Sequence, residues 1–228
     1  MTRTTDPRHI PSAGPDVEHL LAQEVVIEGD SAAARTGAQA VAPDHSPVAR
    51  LSSLAGTPAG TLPPPALAVA PELQHEVERF LHRQAELLDG KHWQAFIDLF
   101  APQGVYWMPV QPQQTDWEGQ PSIFAEDKLL MEIRKGRVSH PNAWSQAPMW
   151  ETNHLVSHVA VESVSGNEIK VRSRFHMMEL RRDNVRHFGG RYQHWLVRGA
   201  DGALQIRLQR VDMFNSQAPY DYVLQVWV

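Results

Sequence analysis

The chain has 228 residues, a formal net charge of −5, 42% hydrophobic residues and no cysteine. The acidic balance argues against nucleic acid, whose binders carry a basic excess. The missing thiols exclude disulfides, thiolate zinc sites, a cysteine nucleophile and any iron–sulfur cluster held by this chain, including the kind with two Cys and two His ligands. No apolar run approaches the roughly 20 residues of a membrane span. The opening Met1–Pro7 lacks the apolar stretch of a secretory signal, so a cytoplasmic location is expected.

Residues 1–70 contain no Phe, Trp or Tyr, are rich in Ala, Pro, Gly and Ser, and close on Thr61-Leu62-Pro63-Pro64-Pro65-Ala66. Such a stretch cannot bury enough apolar area to offset its ordering entropy, so it is read as a disordered arm. Within it, Val17, Leu20, Leu21 and Val25 fall near helical spacing, as a transient helix or a partner-docking helix would. Every aromatic residue lies in 71–228, which is read as one folded domain.

Pro71 suits a first helical turn. Leu73, Val77, Phe80, Leu81 and Leu88 then follow a helical stripe that Gly90 ends. A short second helix carries Trp93, Phe96, Ile97 and Phe100, and Pro102 and Gly104 terminate it. Val105–Val110 reads as a strand, and Ile123–Arg134 as a third helix ending at Gly136. Strand patterns follow at Leu155–Glu162, Ile169–Leu180, Phe188–Arg198 and Ala203–Asp212. Turns at Ser165-Gly166-Asn167, Arg182-Asp183-Asn184 and Gly199-Ala200-Asp201-Gly202 separate them. Helices first and a strand meander after them predict an α+β fold, with helices covering one face of a curved antiparallel sheet. The apolar Val223–Val228 is expected to pair into that sheet or to pack against another subunit.

Several runs carry a family resemblance. Glu86-Leu87-Leu88-Asp89, Trp93, Asp98-Leu99-Phe100 and Val105-Tyr106-Trp107-Met108-Pro109 resemble the opening of ring-hydroxylating dioxygenase beta subunits. Asn142-Ala143-Trp144, Pro148 and His154-Leu155-Val156-Ser157 resemble the middle motif of that family, and Phe188-Gly189-Gly190-Arg191-Tyr192 with Arg210-Val211-Asp212 its last pattern. The sequence departs from it at Met149–Asn153, where many members are Ser/Arg-rich, and in the long arm, which is not part of the shared core. The resemblance implies a nuclear-transport-factor-2-like, cystatin-like cone. It implies a non-catalytic structural subunit that assembles with a large alpha subunit, typically three of each, in an NADH- or NADPH-dependent oxidoreductase of aromatic catabolism. No cofactor is expected in this chain. The Rieske 2Fe-2S cluster and the mononuclear iron belong to the alpha partner, fed through a ferredoxin or reductase.

Arg and Trp are the side chains that interfaces favour, so Trp144, Trp150, His154, Arg191, Trp195, Arg210 and Trp227 are the candidate subunit contacts. The arginines of the last third, Arg172, Arg174, Arg181, Arg182, Arg186, Arg191, Arg207 and Arg210, are either a solvated sheet face or a partner surface. His154 and His158 have an H-x-x-x-H spacing, but four residues along a strand span about 13 Å, too far for one ion to be shared. The cone fold also hosts isomerases and dehydratases, so the alternative to a scaffold is proton-transfer chemistry by Asp98, Tyr106 and His154, with His176 as a further candidate.

Overall fold

The computed structural model describes residues 65–143, 150–218, 224, 227 and 228. The proposed arm up to residue 64, Trp144 and half of Val223–Val228 lie outside the described residues. The elements are α1 (Pro71–Asp89), α2 (Trp93–Asp98), β1 (Phe100–Pro109), β2 (Ser122–Asp127), α3 (Lys128–Val138), β3 (Trp150–Ser165), β4 (Glu168–Arg181), β5 (Asn184–Arg198) and β6 (Leu204–Met213). The six strands form one sheet in the order β2-β1-β6-β5-β4-β3.

Pro71 opens α1, and Val77, Leu81, Leu87 and Leu88 bury its stripe. The alternation in β4 places Ile169, Val171, Phe175 and Met177 in the core under the helices and turns Lys170, Arg174 and His176 outward. β3 to β6 form an antiparallel meander, whereas β1 pairs with β6 in parallel. Gly190 permits the close packing of β5 on β6: a Cβ there would collide with the carbonyl oxygen of Asp212 and approach the Phe175 ring to 2.7 Å.

Two expected helical segments are strands. Phe100 begins β1, opposite Ile206, instead of closing α2. Ser122–Asp127, most of it expected to be the first turns of the third helix, is β2, with Phe124 opposite Met108 and Asp127 opposite Val105. Pairing along β1 overrides the local pattern there. The helix begins only at Lys128, where the Asp127 carboxylate accepts the Leu130 N–H at 2.9 Å as an N-cap. It runs through Gly136 to Val138, and a side chain at Gly136 would meet open space, so that residue is no stop.

Candidate functional site

The predicted site residues fall on opposite faces of the sheet. On the face under α1, Asp89 at the end of the helix meets β3. Its Oδ1 lies 2.6 Å from His154 Nδ1, its Oδ2 accepts the His154 backbone N–H at 2.9 Å, and Thr152 Oγ1 donates to it at 2.9 Å. Burial alone would raise the Asp89 pKa; the hydrogen bonds from His154 and Thr152 outweigh it and hold the carboxyl below its ordinary value. The His154 ring is buried, and its Nε2 has no partner among the described residues. It borders a small cavity shared with Leu81, Gln84, Leu88, Val156 and Tyr192, with room for about one water molecule.

A second polar group lies on the same face. Gln84 donates to Gln209 Oε1 at 2.6 Å and lies 3.1 Å from His194 Nε2 through its own Oε1. His194 is completely buried, and that burial drives its pKa down to about 3. The imidazole is therefore neutral, with Nε2–H donating to Gln84. None of Asp89, Gln84, His194 and Gln209 was singled out from sequence as a site residue; the polar identity of positions that otherwise follow the buried pattern was the available signal.

The proton-transfer set does not converge. Asp98 is exposed and accepts a hydrogen bond from Gln94 at 3.1 Å. Tyr106 is buried; its hydroxyl donates to the Val228 carbonyl oxygen at 3.2 Å and accepts the Val228 N–H at 3.1 Å, and burial raises its pKa well above the ordinary tyrosine value. His154 is tied to Asp89, and His176 lies exposed with its Nε2 3.1 Å from His187 Nδ1. His158 is exposed at a bulge with φ +53°, so it does not share an ion with buried His154. No group of three or more His, Cys, Asp or Glu fit to hold a metal ion occurs among the described residues.

Five of the seven candidate contacts are buried within the chain. Arg210 has no exposed surface: it pairs with Asp212, donates to the carbonyl oxygens of Gln114 at 2.6 Å and Pro112 at 2.8 Å, and lies 4.6 Å over the Trp107 ring. Trp195 packs with Trp107 and Leu208. Trp150 packs on Val138 and Trp93. Trp227 stacks near Phe96 and donates from Nε1 to Glu126 Oε2 at 3.0 Å, while Glu126 also pairs with Arg134. The described part of the apolar final segment thus packs into the core of its own chain by side chains. Buried His154 is the fifth, and Arg191 is exposed beside Phe214. Around Arg191 the outer face of β3–β5 also exposes Leu155, Leu180, Val185 and Arg174.

A family model described as the ring hydroxylating beta subunit matches residues 83–219. Among individual proteins, the chain is 33% identical over 101 residues to the chlorobenzene dioxygenase subunit beta of Cupriavidus sp. strain PS12, covering 41% of this chain and 54% of that protein. The match thus spans about half the length of such relatives. It is 30% identical to the small oxygenase component of the p-cumate 2,3-dioxygenase system of Pseudomonas putida, over 58% of this chain and 73% of that one. The solved beta subunit of the benzoate 1,2-dioxygenase of Burkholderia mallei superposes with a TM-score of 0.55 at 24% identity, covering 69% of this chain and 99% of that one. That likeness bears out the expected α+β, nuclear-transport-factor-2-like fold.

Proposed function

This chain belongs to the ring hydroxylating beta subunit family, and on that premise we propose that it is the non-catalytic structural subunit of a multicomponent aromatic-ring dioxygenase. Its role is to support assembly of a large alpha subunit, which carries the Rieske cluster and the mononuclear iron and receives electrons from a ferredoxin or reductase. The observation that carries this reading is the family match across 83–219, which takes in α2 to β6. The geometry supports it: Asp89 and His154 tie α1 to β3, Glu126 ties β2 to α3, and Arg210 ties β6 to the segment at Gln114, as parts of a rigid support are. Large exposed apolar patches tend to mark partner sites; Phe214 lies beside Arg191, and Leu155, Leu180 and Val185 are exposed further along the same sheet face. Closed symmetry satisfies identical patches without leaving one open, and three of each subunit is the assembly that the family resemblance implies. On this reading the complex works in the cytoplasm, and the arm up to about residue 65 is dispensable for folding, whereas Leu67 and Val69 already contact the domain.

Co-expression with a candidate large subunit from the same source tests the reading. One species with three copies of each subunit, by light scattering, is expected. Separate elution of the two subunits, or a large subunit that assembles and turns over fully alone, refutes it. A chain starting at Pro65, which keeps the Leu67 N–H on the Val161 carbonyl oxygen at 2.9 Å and Val69 against the core, is expected to unfold at the same temperature as the full chain.

A further inference from the structure

We propose that His176 and His187 form a two-imidazole site on the outer sheet face for one borderline divalent metal ion of the zinc class. The β4–β5 register sets Met178 opposite His187 and Gly189 opposite His176, so the two histidines are diagonal neighbours on one face. Both are exposed. His187 Nδ1 and His176 Nε2 are 3.1 Å apart, and the ring planes differ by 14°. Two nitrogens bound to one tetrahedral zinc ion at 2.0–2.1 Å stand about 3.3 Å apart. The pair is thus within a few tenths of an ångström of a chelating separation, and turning each ring by about 35° off the N···N line aims both lone pairs at one tetrahedral ion.

Gly189 leaves the position opposite His176 without a side chain, and even a Cβ there would have no neighbour closer than 3.7 Å. The contrast with His154 and His158 is geometric. Those two lie on one strand, one buried against Asp89 and the other exposed at a bulge. His176 and His187 are eleven residues apart in sequence and adjacent across the ladder.

The surroundings select the ion. The next cross-strand pair is Arg174 and Arg191, both exposed, and Leu155 stands opposite His176 on β3. No third His, Cys, Asp or Glu completes a cluster among the described residues. Two guanidinium groups and no carboxylate disfavour calcium and magnesium, which need oxygen donors. A borderline ion gains enough from imidazole nitrogen to bind there, with water in the remaining positions.

Titrating the untagged full-length chain with zinc chloride, by calorimetry and by the imidazole resonances in NMR, tests the site. The wild-type chain should show a one-equivalent event that shifts the His176 and His187 rings. His176→Ala and His187→Ala should each weaken it about tenfold or more, since even second-sphere changes at metal sites cost about 10–100-fold. His187→Gln should behave as His187→Ala, the double variant should bind no more tightly than either single one, and His158→Ala should leave the event intact. Absence of the event in the wild type, its survival at wild-type affinity in either single alanine variant, or an equal response to calcium chloride overturns the proposal.

Discussion

On the outer face of the sheet, Arg210 at the β1–β6 end is wholly buried, while Arg174 and Arg191 on β4 and β5 are exposed. Histidines divide the same way across the two faces: His194 lies sealed under α1, and His176 and His187 meet solvent. The difference is in what each region has above it. Residues 110–121 fold over the β1–β6 end and give Arg210 two carbonyl oxygens, and Trp117 packs edge-on against Trp107 at 5.9 Å. Over Arg191 lies the Phe214 ring, at 6.0 Å, and no such segment is packed on it among the described residues. Residue type therefore says little about role here: a closed environment makes an arginine part of the frame, and an open one leaves it available.

The largest effect should come from the closed end. Arg210→Ala removes the cation that faces Asp212 and orphans the carbonyl oxygens of Gln114 and Pro112. Breaking a buried pair in this way costs about 3–5 kcal/mol, against a typical total stability of about 5–15 kcal/mol. Arg210→Lys should recover little, because an ammonium cannot reach three acceptors in the fork geometry. Urea unfolding monitored by tryptophan fluorescence measures both. A loss below about 1 kcal/mol for Arg210→Ala, the range of exposed pairs, would erase the distinction between the two ends.

The sealed histidine offers the next largest effect and a pH signature. Burial lowers the His194 pKa from 6.5 to about 3. The unfolded chain then takes up a proton that the folded chain refuses, so stability declines as pH falls from about 6.5 toward 3. One proton corresponds to about 1.4 kcal/mol per pH unit, or about 2 kcal/mol lost between pH 7 and pH 5. Asp89 acts in a different window. Its folded pKa is depressed, so its contribution is present above its unfolded value of 3.8 and is lost as pH falls through the folded one. His194→Gln keeps a donor for Gln84 without the titration, and its stability should be flatter between pH 7 and pH 5 than that of the wild type. Equal slopes for the two would mean that the ring is not sealed.

Much of this arrangement is legible in the sequence, and the failures share a cause. The α1 stripe, the alternation in β4 and the Gly199–Gly202 turn are local patterns, and each corresponds to an observed element. Ser122–Asp127 is a strand because β1 lies beside it, which no local window around Ile123 records. The same holds for the site. Arg210 reads as an interface arginine until residues 112 and 114, almost a hundred positions earlier, supply its acceptors. Asp89 and His154 meet across 65 residues, so the dyad is invisible to spacing, whereas the family motifs that contain both residues are visible.

The smallest effect on the isolated chain should come from the open end, and it is the most informative. Leu155, Val185 and Phe214 are 58%, 50% and 66% exposed, so replacing each with serine removes little packing from the monomer. Surface substitutions of this kind usually change stability by no more than about 0.5 kcal/mol. Arg191→Ala should be equally mild, since its cation–π contact with Phe214 lies on an exposed face. If this end is where the large subunit docks, the same substitutions should raise the concentration needed for co-assembly while leaving the unfolding midpoint in place, and pairs of them should be worse than either alone. Sedimentation of mixtures of the two subunits separates the readouts. A variant that lowers the midpoint and assembly together would mean that the open end belongs to the frame as well. One that changes neither would move the partner surface elsewhere, with the exposed side of α3, where Leu129 and Ile133 are 68% and 60% exposed, as the next face to mutate.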